Sequence, residues 1–214
     1  VVDSGNCGDN VTYTLDSDGL LTISGTGSMY GYYLKSDGGK YVTAAPWGSK
    51  KLTQVVISDG VTSIGEDAFY GCTGLTSITI PDSVTSIGNS AFSRCTGLTS
   101  ITIPSGVTSI GDYAFFYCTG LTSITIPSGV TSIGEDAFSG CSGLTKIKAP
   151  MAGLSEILSD TGKSKVRQIE ITSGTEIPEN AFSGAYNLTS IKIPGTIEKI
   201  GNNAFTHCTK LKDV

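Results

Sequence analysis

Charge, histidine and long apolar runs are all scarce in this chain, and each scarcity removes a class of function. Only 15% of the 214 residues are charged, 14 basic against 19 acidic, for a formal net charge of −5. A nucleic-acid partner is thereby excluded, because neutralising phosphates takes a clustered basic surface. No apolar stretch approaches the ~20 residues that a membrane-spanning helix needs, so no membrane insertion is expected. The chain opens Val1-Val2-Asp3, without an initiator Met or a charged-then-apolar leader, and reads as processed or trimmed. Low charge together with 28 Gly resembles the composition of a disordered chain. The apolar residues recur too regularly for that.

What is abundant is repetition. Units beginning at Leu52, Leu75, Leu98 and Leu121 follow one another at a fixed 23-residue spacing. The second reads LTSITIPDSVTSIGNSAFSRCTG and the third LTSITIPSGVTSIGDYAFFYCTG. Cys72, Cys95, Cys118 and Cys141 fall one per unit at the same phase. A fifth unit opens at Leu144 and dissolves through Met151–Lys165. The pattern resumes at Val166, one residue short, and again at Leu188; a further unit opens at Leu211 just before Val214. The last unit shows no polar cap of the kind that terminal repeats need, so this chain is expected to continue or to be covered by a partner.

Within a unit, Ile78 and Ile80 alternate with Ser77 and Thr79 as a half-buried strand does. Pro81 removes a backbone donor and ends that strand. Val84 and Ile87 form a second apolar pair, Gly88 marks a turn, and Ala91, Phe92 and Cys95 follow before the next Leu. One unit cannot bury these side chains alone, and stacked units bury them as ladders. Ahead of the repeats, Val11, Tyr13 and Leu15 alternate, Asp16-Ser17-Asp18-Gly19 is turn chemistry, and Leu21 and Ile23 alternate again. This predicts a β-hairpin covering the first coil, with Trp47 and nearby Tyr residues adding apolar area.

The recurring LTSITIP..VTSIG..AF..C core resembles that of the BspA-like leucine-rich-repeat surface proteins of bacteria. So does the leading segment Cys7-Gly8-Asp9-Asn10-Val11, Leu21-Thr22-Ile23-Ser24-Gly25-Thr26-Gly27 and Ala45-Pro46-Trp47. The resemblance implies an exported location at the bacterial cell surface and a role in adhesion or host-protein binding. Departures are Ala185 at the Cys phase, the disrupted fifth unit, and the lack of an Asn at the ladder position of the general leucine-rich pattern. The expected fold is a repeat solenoid: a right-handed leucine-rich-repeat superhelix of parallel β-strands in 23-residue units, with an N-terminal hairpin cap. The cap is expected over 1–51 and the solenoid over 52–214. Regular repeats occupy 52–143, an irregular unit 144–165, further repeats 166–210, and a truncated unit 211–214.

Candidate chemistry is sparse. Cys72, Cys95, Cys118, Cys141 and Cys208 form a structural column, read as buried thiols each filling the same niche; Cys7 lies outside it. Asp16-Ser17-Asp18-Gly19 copies the opening of a calcium loop but lacks the bidentate Glu at the twelfth position, and reads as a turn. Gly162-Lys163-Ser164 matches the end of a phosphate-binding loop, yet Ile157 stands where that pattern requires Gly. His207, the lone histidine, adjoins Cys208, but catalysis needs spatial convergence and an orienting third group. Glu66-Asp67 and Glu135-Asp136 recur at one turn position and read as solvated turns. No catalytic, metal or cofactor site is therefore assigned.

The remaining candidate is the strand surface. Val56, Thr79, Thr102, Thr125, Lys148, Glu170 and Lys192 share one phase. Gln54, Ser77, Ser100, Ser123, Lys146, Gln168 and Ser190 share the adjacent one. Both columns are expected on one sheet face, the face solenoids commonly use for binding. Charge changes along the rod: Leu52 to Gly143 holds seven acids and one Arg, and Leu144 onward holds nine basic residues and seven acids. The interrupted fifth unit sits at that junction, with a short helical turn expected over Gly153–Leu158. The expected activity is non-catalytic protein–protein recognition or adhesion, with a host or neighbouring surface protein, or a glycan, as partner. The alternative is a passive spacer or targeting segment of a longer secreted protein.

Overall fold

The regular coils bury a recurring set of apolar side chains and hand their backbone hydrogen bonds to the coils before and after them. A computed structural model describes residues 1–163 and 165–214. Its first ladder is the alternating strand of each unit. Leu20–Gly25 pairs in parallel with Gln54–Ile57, which pairs with Ser77–Thr79. A second sheet continues through Ser100–Thr102, Ser123–Thr125, Lys146–Ala149, Gln168–Ile171 and Ser190–Lys192. All these pairings are in register, and Ser190 makes a single further bridge to Asp213. The ladder is divided between Ser77–Thr79 and Ser100–Thr102, and there Ile78 and Ile80 are half-buried where Ile101 and Ile103 are buried.

The Val84–Ile87 pair of each unit belongs to a ladder of its own. Gly27–Ser28, Val61–Ile64, Ser86–Ile87, Ser109–Ile110 and Ser132–Ile133 form a separate parallel sheet, the second ladder. Val61–Ile64 apart, these strands have two residues, too few to show a period of two, so only the apolar pair was visible in the sequence. Threonine hydroxyls reinforce this ladder: Thr85, Thr108 and Thr131 each donate to the carbonyl one coil back at 3.1–3.2 Å.

The third side of each coil is a turn whose N–H groups reach the next coil: Asp67, Phe69 and Gly71 donate to Asn89, Ala91 and Ser93. Two positions per coil are left-handed there, as at Ser90 (φ 52°) and Arg94 (φ 60°). Inside, Trp47, Phe69, Phe92, Phe115 and Phe138 stack coil on coil, with the Phe rings 5.2–5.3 Å apart. The stack resumes with Phe182 on Phe205.

Two regions exceed what the sequence announced. The expected short turn at Gly153–Leu158 is an α-helix over Met151–Thr161. Met151, Leu154, Ile157, Leu158 and Thr161 are buried at helical spacing. Pro150 precedes the first turn with φ −61° and ψ 154°, the extended backbone that suits a helix boundary. The helix stands where the coil's second strand would run, so the second ladder stops at Ser132–Ile133 and restarts as Glu176–Ile177 beside Lys199–Ile200. At the N-terminus the expected hairpin carries a third antiparallel strand, Asp3–Asn6. An additional hairpin joins Leu34–Asp37 to Lys40–Thr43 through Gly38-Gly39, both at positive φ. Trp47 is fully buried, donates its indole N–H to Ala68 O at 2.9 Å, and meets Tyr13 and Tyr32 edge-on.

Candidate interaction surface

In-register pairing turns the two strand phases into two straight columns of outward side chains. Gln54 faces Ser77 and Val56 faces Thr79; past the division, Ser100 faces Ser123 and Thr102 faces Thr125. Ser123 and Thr125 then meet Lys146 and Lys148, which meet Gln168 and Glu170, which meet Ser190 and Lys192. Between the columns, Val55, Ile101, Ile124, Ile147, Ile169 and Ile191 point inward and are buried. The columns are mostly exposed, with Ser123, Glu170 and Ser190 half-buried.

The face is not uniform. From Ser123 to Lys192, and on to Asp213 and Val214, the columns line an open groove of about 560 Å³. Its floor chemistry is set by Glu170, whose Oε1 takes Lys148 Nζ at 3.1 Å and Lys192 Nζ at 3.3 Å. The Lys148 hydrogen bond, supported by Lys192 and opposed by partial burial, holds the Glu170 carboxyl below its usual range. One carboxylate thus orders two lysines across three coils, and Lys146 stands one coil position from Gln168. The hydroxyl-bearing coils before it carry no charge in these columns from Gln54 to Thr125.

The cysteine column has a defined geometry. Cys95, Cys118 and Cys141 donate S–H to the carbonyls of Phe69, Phe92 and Phe115 at 3.1 Å, and Cys208 donates to Phe182 at 3.2 Å. Each thiol therefore ties its coil to the preceding one. Burial pushes Cys72 up to about 12 and Cys7 up to about 11, and raises Cys95 and Cys118 well above the ordinary thiol range. Thiolate chemistry is suppressed at all of them.

The other candidate motifs resolve into structural roles or corrections. Asp16 Oδ1 accepts from the N–H groups of Asp18 and Leu20 at 2.9 Å, closing the hairpin turn. Lys163 Nζ donates to Asn180 O at 2.8 Å, and Ser164 of the same motif lies outside the described residues. His207 packs toward Tyr186, ring centroids 6.3 Å apart, while the Cys208 thiol is committed to Phe182 O. The reading of Glu66-Asp67 as a solvated turn fails at Asp67. The leading segment covers this first turn, with Tyr32 N–H donating to Glu66 O, and leaves Asp67 only 9% exposed. Burial, then the Glu66 charge, raises its carboxyl from 3.8 to about 6. Among the described residues no group of three or more His, Cys, Asp or Glu side chains is placed to hold a metal ion. No described helix is long and apolar enough to cross a membrane.

Comparison with known proteins agrees with this architecture. The family described as "BspA type Leucine rich repeat region" matches in six copies over residues 47–161 and 159–214. The crystal structure of a leucine-rich-repeat protein from T. pallidum is similar at 26% identity and a TM-score of 0.50, covering 94% of this chain and 87% of that one. One from Eubacterium ventriosum is similar at 25% identity and a TM-score of 0.52, covering 95% of this chain and 63% of that one. No curated protein matches the chain. The solenoid with its 23-residue coils and the matched residues together establish that this chain belongs to the BspA-type leucine-rich-repeat family.

Proposed function

We propose that this chain is a non-catalytic protein-recognition module of a bacterial cell surface, and that its binding site is the strand face between Ser123 and Lys192. The observation that carries the reading is the groove of about 560 Å³ lying where the columns change from hydroxyls to charges. A solenoid offers a partner an extended face of evenly spaced side chains, and here three coils add ordered charge to it. Lys148, Glu170 and Lys192 are pre-positioned by their mutual ion pairs, which lowers the ordering cost of an interface. Family membership supports the extracellular location and the adhesive role, and no residue of this groove bears on either.

The experiment is a binding panel of purified host-matrix proteins and glycans against the intact chain and a Lys146→Glu/Lys148→Glu/Lys192→Glu variant. The reading expects a partner that the wild type retains and the variant loses. Equal retention by both, or no partner across the panel, counts against the strand face. A spacer role is the competing reading, favoured by the regular coils, whose columns from Ser77 to Thr125 hold only Ser and Thr.

A further inference from the structure

One coil breaks the surface pattern on a different side of the molecule. In the turn that follows each second strand, two positions per coil adopt left-handed backbone. The first holds Asp67, Ser90, Asp136, Asn180 and Asn203, and the second holds Gly71, Gly140 and Gly184, with Arg94 and His207. Arg94 apart, these are residue types that tolerate positive φ or can hydrogen-bond locally there. In the third coil both positions are tyrosine, Tyr113 at φ 57° and Tyr117 at φ 56°, a conformation that costs a bulky residue free energy. The position before the second holds Ser93 and Ser139 in the neighbouring coils and Phe116 here. Local backbone preference does not select these rings.

The three rings form one cluster. Tyr113 meets Phe116 edge-on at 5.6 Å, and Phe116 meets Tyr117 at 4.6 Å. Tyr113 remains 37% exposed and Tyr117 46%. Tyr117 is held from both sides. The Arg94 guanidinium lies 5.4 Å over its ring, and a Cβ on Gly140 would come within 2.6 Å of it. Acidic groups rim the cluster: the Glu135 charge, then partial burial, Asp136 and Asp112 raise the Tyr113 hydroxyl above the ordinary phenol range. Arg94 is the one basic residue against seven acids between Leu52 and Gly143.

We propose that Tyr113, Phe116 and Tyr117, with Asp112 and Glu135 at the rim beside Tyr113, dock an arginine-bearing segment of a partner protein. A guanidinium is attracted to an aromatic face and can pair with a carboxylate at its edge, and Arg94 lies 5.4 Å from the Tyr117 ring centroid within this chain. A neutral glycan would use the rings without needing the acidic rim. The site lies apart from the lysine groove, so the two surfaces fail independently.

The test is fluorescence anisotropy of the full chain with a fluorescein-labelled, end-capped Gly-Arg-Gly-Arg-Gly peptide, its citrulline twin, and maltoheptaose as competitor, in about 0.15 M salt. The variant Tyr113→Ser/Phe116→Ser/Tyr117→Gly installs residues that other coils carry at these positions and leaves net charge unchanged. The wild type is expected to prefer arginine over citrulline by about three- to tenfold, and the variant is expected to lose that preference. Lys146→Glu/Lys148→Glu/Lys192→Glu should retain it. Equal affinity for the two peptides, an unchanged preference in the variant, or displacement by maltoheptaose each overturns the proposal. Should the triple variant unfold, Glu135→Lys decides alone. It must lower arginine-peptide affinity severalfold, and an unchanged affinity overturns the proposal as well.

Discussion

Replacing Asp67 with Asn should stabilise the protein at neutral pH and leave it unchanged in acid. Asp67 is buried at the junction of the leading segment and the first coil, and burial followed by Glu66 raises its carboxyl from 3.8 to about 6. In the unfolded chain it ionises near its ordinary value of about 4. Between those values the unfolded state has released the proton that the folded state still holds, so stability falls as pH rises through the window. Below it both states are protonated and nothing is lost; above it the whole cost stands. Two pH units at about 1.4 kcal/mol each give about 3 kcal/mol as an upper limit, so about 1–3 kcal/mol is the working range once the turn relaxes and admits water. Asn fits the backbone, since Asn180 and Asn203 hold the same turn position at φ 57° and 56°.

The assay is urea unfolding at about pH 3.5 and about pH 7.5, followed by circular dichroism and by Trp47 fluorescence. Trp47 stacks on Phe69 at 5.8 Å and so reports on the coil that carries Asp67. That matters because repeat arrays do not always unfold as one unit. At neutral pH the variant should also melt roughly 2–12 °C higher, at about 2–4 °C per kcal/mol for a chain of this size. An advantage of equal size at both pH values, or one present only in acid, would refute the reasoning.

Three further outcomes follow from the packing. Phe115→Ala removes the middle ring of a stack with neighbours at 5.3 and 5.2 Å and should cost about 3–5 kcal/mol in denaturant unfolding; a loss below about 1 kcal/mol would mean the coils repack around the gap. A thiol reagent at mildly alkaline pH should label half-buried Cys208 first. Cys95 and Cys118 should react only on the unfolding timescale, and equal rates in the native state would contradict their burial. Gly140→Ala should destabilise the chain by about 1–2 kcal/mol through its left-handed backbone and the Tyr117 ring. In a Tyr117→Gly background the ring's share should vanish, and strict additivity across that cycle would show that the two positions do not touch.

The repeat by itself determined most of this molecule. A fixed spacing of Leu, Ile, Val, Phe and Cys can bury its apolar side chains only by stacking coil on coil, so the solenoid, its inward columns and its outward strand columns were legible from Leu52 onward. The paired lysines and glutamate of the groove were legible as phase-mates, because in-register parallel pairing maps sequence phase directly onto spatial neighbours. The second ladder escaped because all its strands but Val61–Ile64 are two residues long. The full helix at Met151–Thr161 extends beyond the expected turn because it also takes in Met151 and Thr161, which pack at the same helical spacing, and the Leu34–Thr43 hairpin was masked by mostly exposed strands whose one signal was Gly38-Gly39. Tertiary structure alone decided which polar groups water still reaches. Glu66-Asp67 and Glu135-Asp136 are the same dipeptide at the same phase, yet the cap leaves Asp67 in a medium where its charge is costly. It likewise decided that Tyr113, Phe116 and Tyr117 meet in one cluster, since left-handed backbone at two turn positions swings their rings together. Phase along the chain specifies which coil position a residue takes; what covers that position is set by the rest of the molecule.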